Sequence, residues 1–258
     1  MDEFVNPVPA DRFRATNGPW NELRLNAPWS VGYVTSLIES RTFAAKEEWT
    51  HFYYESGAER LNLLARLTED DRTTLTDFRL AVTNLARIER LPWALKNLNF
   101  NFGRTRDELA EKSRVLHERV RQLNAELSPE EAVTCVRFRV VGETWNGVVL
   151  RERNAVTVLR SLLPGLRFEK TAGDFDHYYA VDYQMFIGKS LLAGIQIKPR
   201  SYLESKAPYL LKARRANAAK NEAYRRNFGC PVFDVVAQTS GEIMNGAVID
   251  QLRALASG

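Results

Sequence analysis

The chain has 258 residues, 45% of them hydrophobic and 26% charged, with a formal net charge of +4. That length supports one large domain or two modest ones, each with a core, and the composition is that of a globular protein, with disorder expected only at the ends. No apolar run approaches the eighteen residues of a membrane span, and MDEFVNPVPADRF lacks the pattern of a secretory signal.

Cys135 and Cys230 form no CxxC or Cys/His cluster, so a cytoplasmic protein in a reducing compartment, without a zinc site, is expected. Near the N-terminus, DRFRATNGPWNELRLNAPWS mixes Gly, Pro, Asn, Arg and Trp and reads as an ordered arm or irregular loop. Helical spacing of apolar residues follows in VGYVTSLIES, KEEWTHFYYESGAERLNLLARL and DRTTLTDFRLAVTNLARIERL. Thr105 and Glu108 form a capping box for DELAEKSRVLHERVRQLNAEL, and Ser128, Pro129 and Glu131 open a further helix running to about Val141. Residues 1–128 are therefore expected to form a mainly helical region, and residues 129–258 an α/β core.

The core begins with the helix LRERNAVTVLRSLL, which Pro164 and Gly165 end, and Trp145 just ahead of it is expected to position it. Next come LRFEKTAG, the hairpin YAVDYQMFIGKSLLAGIQIKP, a basic helix from about Ala207 to Asn227, the strand CPVFDVVAQTS and a short helix, GAVIDQLRALA. The order helix, three strands, helix, strand implies a mixed sheet flanked by helices, because short turns join the first three strands while the fourth returns across a helix.

The hairpin holds Asp182 and Lys198, charges that a strand interior disfavours. A turn at IGKS, with Gly188 free to take positive φ, places Asp182 opposite residue 195 or 196. Strand alternation then sends Gln196 and Lys198 to one face and the apolar Ile195 and Ile197 to the other, with Val181 supporting the sheet beside them. A carboxylate, an amide and an ammonium on one face suit metal-assisted phosphodiester cleavage. The acid can hold Mg²⁺ against the scissile phosphate while the lysine orients or deprotonates water.

Asp182 followed by Gln196-Ile197-Lys198 on this scaffold resembles the PD-(D/E)XK nuclease superfamily. TWNGVVLRE, YAVDYQMF, GIQIKPRSYL, WSVGYVTSLI and EEWTHFYYESG together resemble the MjaI-type type II restriction endonucleases over about Trp29 to Ser240. The resemblance implies a Mg²⁺-dependent homodimer that cuts double-stranded DNA within a short palindrome, with residues 1–128 serving DNA recognition, dimerisation or both and residues 129–258 the catalytic core. Two positions depart from the superfamily pattern: Gln196 stands where an acid is usual, and Val181 where Pro is usual. In members with Gln at that position the missing acid comes from the preceding helix, which makes Glu152 its counterpart here; Asp174 and Asp176 are competitors. The implied roles are metal binding by Asp182, Glu152 and the Ile197 carbonyl, support of the metal or water by Gln196, and activation of the nucleophile by Lys198.

From Lys198 to Arg226 nine basic residues face two acidic ones, a surplus of seven that leaves the rest of the chain at −3. Within this stretch Lys198, Arg200, Lys212, Arg214, Arg215, Lys220, Arg225 and Arg226 are candidate phosphate contacts, with a solvated helix face as the alternative. Tyr209, Leu210, Ala213, Ala216 and Tyr224 form the helix's apolar face, expected to pack on the sheet. Candidate base readers are Arg12, Arg14, Asn17 and Asn21 in the arm and Asn97, Asn99, Asn101, Arg104 and Arg106 in NLNFNFGRTR, where Asn also serves simply to form turns. His51, His117 and His177 show no metal-site spacing, although His177 lies close enough in sequence to the hairpin to reach a phosphate. A structure-specific repair or junction nuclease and a non-catalytic DNA-binding protein remain open alternatives.

Overall fold

Apolar residues at helical spacing need a partner surface, and in the N-terminal half they find it in one another. The computed structural model describes residues 2–23, 25, 33–76, 105–171, 175, 178–204 and 208–257. The chain divides into two compact units, Met1–Trp145 and Asn146–Gly258.

The regular elements among the described residues of the first unit are helices, including α1 (Ala10–Ala15), α2 (Asn17–Glu22), α3 (Tyr33–Glu39), α4 (Lys46–Leu64), α5 (Glu69–Thr76), α6 (Arg106–Gln122) and α7 (Pro129–Arg137). Both expected capping boxes are present. The Thr105 hydroxyl accepts from the Glu108 N–H at 3.2 Å, and the Ser128 hydroxyl accepts from the Glu131 N–H at 3.1 Å. After α7 the chain stays helical through a π-helical stretch, Phe138–Gly142, so the helix opened at Ser128 belongs to this unit. The helix expected over DRTTLTDFRLAVTNLARIERL begins in α5, and its part from residue 77 lies outside the described residues.

The stretch expected to be an ordered arm or an irregular loop is ordered as two short helices, α1 and α2, for a tertiary reason. Arg139 is buried in this unit, and its guanidinium donates to the Thr16 hydroxyl at 2.7 Å and to Asn17 Oδ1 at 2.6 Å. It also lies 4.2 Å from the centroid of the Phe13 ring. A buried cation needs acceptors and a polarisable surface, and the turns around Thr16 supply both.

The second unit carries a π-helical stretch, Asn146–Leu150, then α8 (Arg151–Leu162), β1 (Leu166–Lys170), β2 (Tyr183–Ile187), β3 (Ser190–Lys198), a one-turn helix (Ser201–Glu204), α9 (Pro208–Phe228), β4 (Val232–Val236) and α10 (Ala247–Ser257). The sheet order is β1-β2-β3-β4, with β1·β2 and β2·β3 antiparallel and β3·β4 parallel. This is the mixed sheet expected from the pattern, because only the β3-to-β4 connection contains a crossover helix long enough to return the chain in parallel.

One face of the sheet buries Phe168, Met185, Ala193, Ile195, Ile197 and Val235 against Ala155, Val156 and Leu159 of α8 and Val248, Ile249 and Leu252 of α10. The opposite face receives α9 through Tyr224, whose hydroxyl accepts from Gln184 Nε2 at 3.2 Å. Of the apolar face expected for that helix, Tyr224 is buried but Ala216 is exposed, and the side chains of Tyr209, Leu210 and Ala213 lie outside the described residues. A Cβ built on Gly194 would lie 2.9 Å from a Val181 methyl and 3.2 Å from the Tyr224 ring. Gly194→Val must therefore push α9 from the sheet, and should destabilise the fold by about 1–3 kcal/mol, read as a lower urea midpoint.

Candidate active site

The site starts from the β2–β3 hairpin, whose register the sequence leaves open by one residue. Ile187 pairs with Ser190 across the turn residues Gly188, at φ 55°, and Lys189. Phe186 pairs with Leu191, but Met185 pairs with Ala193, so Leu192 is an extra residue on β3. This bulge moves the ladder on by one and brings Tyr183 opposite Ile195.

Asp182 lies just before β2 and makes use of both register positions. Its N–H donates to the Ile195 carbonyl at 2.9 Å, and its carboxylate Oδ2 accepts from the Ile197 N–H at 2.6 Å. On its other side its carbonyl accepts from the Thr171 N–H at 3.0 Å. Asp182 is 7% exposed, so these bonds answer the cost of placing a carboxylate in the sheet. Its side chain has taken the place of main chain in the ladder, which holds the carboxylate close to the plane of the sheet. Ahead of it Ala180 sits at φ 52°, a conformation unfavourable for a residue with a Cβ, and turns the chain into the site.

Gly194 N–H and Lys198 C=O both bond towards β4. Alternation along β3 therefore turns the N–H and C=O of Ile197 to the Asp182 side. Gln196 and Lys198 share the face opposite Ile195 and Ile197, as the alternation predicts. Gln196 is 2% exposed, while Lys198 is half-buried with Nζ 5.5 Å from the Tyr202 ring centroid. Val181 differs from expectation: its methyls approach Gly194 on the α9 side, so it does not pack with Ile195 and Ile197. Val181 lies ahead of β2, next to Ala180 at φ 52°, so the strand's alternation does not extend back to it.

Glu152, in the first turn of α8, is ion-paired with Lys170 at the end of β1, and only 12% of its side chain is exposed. Burial alone would lower the Lys170 pKa, but the neighbouring carboxylates of Glu152 and Asp182 outweigh it and hold the ammonium above the usual lysine range. Lys170 is thus the electrostatic link between the two acids, and sequence reasoning did not single it out. Its side chain is only partly covered and it ends an edge strand, where a lysine carries no signal.

Asp234 was missed as well. It lies in β4 in register with Gln196, and residues registered across a parallel ladder share a face. Burial pushes its carboxyl pKa up, Lys198 draws it down, and Asp182 adds to the rise. A signal for it did exist, since an Asp inside VFDVV is the same anomaly as the one at Asp182.

Other candidates are more scattered. Arg200 and Arg215 are exposed and Lys220 is half-buried, whereas Arg214 donates to the Tyr202 carbonyl and lies 5.3 Å from the centroid of that ring. Arg225 pairs with Glu222 at 2.7 Å. In the first unit Arg14 is exposed, Arg12 donates to Glu131 at 2.7 Å, and Asn17 accepts from Arg139. The side chain of Lys212 lies outside the described residues, as do Asn97, Asn99, Asn101, Arg104, Asp174, Asp176 and His177.

Among the described residues no three His, Cys, Asp or Glu side chains are grouped to hold a metal by themselves. The donors available are nonetheless hard oxygens: the Asp182 carboxylate, the Ile197 carbonyl, and the buried Gln196 Oε1 and Asp234 Oδ1, neither of which has a hydrogen-bond partner. Such a set fits a hard divalent cation such as Mg²⁺ rather than zinc.

A helix, three strands, a helix and a strand, with an acid just before β2 and an amide and a lysine at the end of β3, match the core expected of an α/β nuclease. The sequence profile of a family described as MjaI restriction endonuclease matches residues 16–236. The chain belongs to that family and is a type II restriction endonuclease, a site-specific deoxyribonuclease that hydrolyses phosphodiester bonds. No curated protein and no solved structure matches it significantly.

The ladder bond of Asp182 separates its structural role from its charge. Asp182→Ala leaves the Ile197 N–H buried without an acceptor and should cost about 1–3 kcal/mol. Asp182→Asn keeps an oxygen acceptor at the same place and should retain most of that stability. Urea midpoints of the two variants compare them directly.

Proposed function

We propose that the enzyme cuts both strands of a short palindromic DNA sequence as a Mg²⁺-dependent homodimer, using Asp182, Glu152, Gln196, Lys198 and the Ile197 carbonyl. The observation that carries this reading is the Asp182 carboxylate fixed on the Ile197 N–H, one residue before Lys198. Asp182 and the Ile197 carbonyl would hold the cation, and Glu152 would join them on release from Lys170. When bound, the cation supplies Lewis-acid stabilisation of the charge developing on the phosphate.

The protein's own groups do the rest. Lys198 orients the attacking water and offsets negative charge in the transition state, and Gln196 donates or accepts without adding charge. Burial of Asp182 and Gln196 reduces competition from bulk water for these contacts. The exposed cations of the Lys198–Arg226 stretch contact the phosphate backbone, and the helical N-terminal region provides recognition, the dimer surface, or both.

Lys198→Ala should abolish cleavage of plasmid DNA while specific binding survives, measured by gel shift beside a digestion assay. Digestion should also stop with excess EDTA, and sequencing the ends produced with Mg²⁺ should give one recurring palindrome. Heterogeneous ends would favour a structure-specific nuclease, and no cleavage with any divalent cation would favour a DNA-binding protein. Arg215→Ala combined with Arg226→Ala should make the dependence of log affinity on log salt shallower, by roughly 0.9 for each phosphate that these side chains neutralise.

A further inference from the structure

The nuclease reading leaves Gln196 without the charge that its position calls for, and the sheet contains a buried acid beside it. Asp234 is the register partner of Gln196 across β3 and β4, so both side chains leave the sheet on the same face. Gln196 is 2% exposed and its Oε1 has no hydrogen-bond partner; Asp234 Oδ1 is buried and equally unpaired. Leaving such oxygens unsatisfied is costly, and two acceptors cannot satisfy each other. A cation satisfies both at once.

The backbone around Asp234 is also held in place. Asn245 Nδ2 donates to the Asp234 carbonyl at 2.8 Å, and Asn245 Oδ1 accepts from the Val236 N–H at 2.8 Å. One amide side chain thereby grips the outer edge of β4 on both sides of Val235, as a neighbouring strand would. Asp234 is fixed relative to Gln196 by the ladder on one edge and by Asn245 on the other.

We infer that Asp234 is a metal-binding residue of this active site, pairing its carboxylate with the Gln196 amide oxygen and supplying the negative charge that Gln196 lacks. The inference rests on the reading of this site as a divalent-cation nuclease centre. It adds an acid from the next strand to the one that Glu152 of the preceding helix offers. No bond is made or broken by the assignment: Asp234 acts by charge and by oxygen donation.

The test is Mn²⁺ binding to the full chain, followed by the electron paramagnetic resonance of free Mn²⁺, with circular dichroism as the control for folding. Asp234→Asn should weaken binding at least about tenfold, since carboxylate count sets affinity at oxygen sites. Gln196→Glu in that background should restore it, because the charge returns one register position away. In the otherwise unaltered protein Gln196→Glu should tighten binding, which keeps the test decisive if Asp234→Asn fails to fold. Wild-type affinity in Asp234→Asn, with binding abolished in Asp182→Asn, overturns the inference and leaves the nuclease reading intact. Unchanged affinity in both variants overturns the two together.

Discussion

The hydrogen bond from the Ile197 N–H to the Asp182 carboxylate organises the second unit. A sheet needs an acceptor for every buried N–H, and here a side chain supplies one where β2 has not yet begun. Fold and chemistry therefore meet in a single contact. The carboxylate cannot swing away without orphaning a ladder donor, and the ladder at that point is incomplete without the carboxylate. Its position is set to within the tolerance of a 2.6 Å bond, which is the kind of preorganisation a charge-stabilising site requires.

The neighbours of Asp182 follow from this constraint. A carboxylate held near the plane of the sheet can act on groups from both faces. Lys170 and Glu152 lie on the α8 side and Lys198 and Asp234 on the α9 side, and the influence of Asp182 is felt by both Lys170 and Asp234. Three acids with two lysines among them would be a poor way to stabilise a core, because desolvating each charge offsets much of the attraction. Their grouping makes sense as a site in which a cation and a phosphate complete the charge balance.

Much of the architecture could be read from the chain. Capping boxes at Thr105 and Ser128 fixed two helix starts because their signals are local. The strands of the core announced themselves by alternation, and the crossover length between β3 and β4 implied the parallel pairing. The helical arm at α1 and α2 was not legible, since Thr16, Asn17, Gly18 and Pro19 argue locally for a turn and only the buried Arg139, far along the chain, makes their helical form favourable. Within the site, Asp182, Gln196 and Lys198 stood out as polar residues among apolar ones. Asp234 carried the same mark and Lys170 carried none.

The sequence by itself determined the strand periodicity, the charge anomaly in the hairpin and the family to which the chain belongs, because each depends on residue types at fixed spacing. Tertiary structure decided the register, through the extra residue at Leu192, and with it the placement of Asp182 on either side of residue 196. It also decided which acids are neighbours: Glu152 stands with Lys170, and Asp234 with Gln196. A bulge costs one residue of register and cannot be read from alternation alone, whereas the pairing of β4 on β3 brings together residues that no local spacing relates.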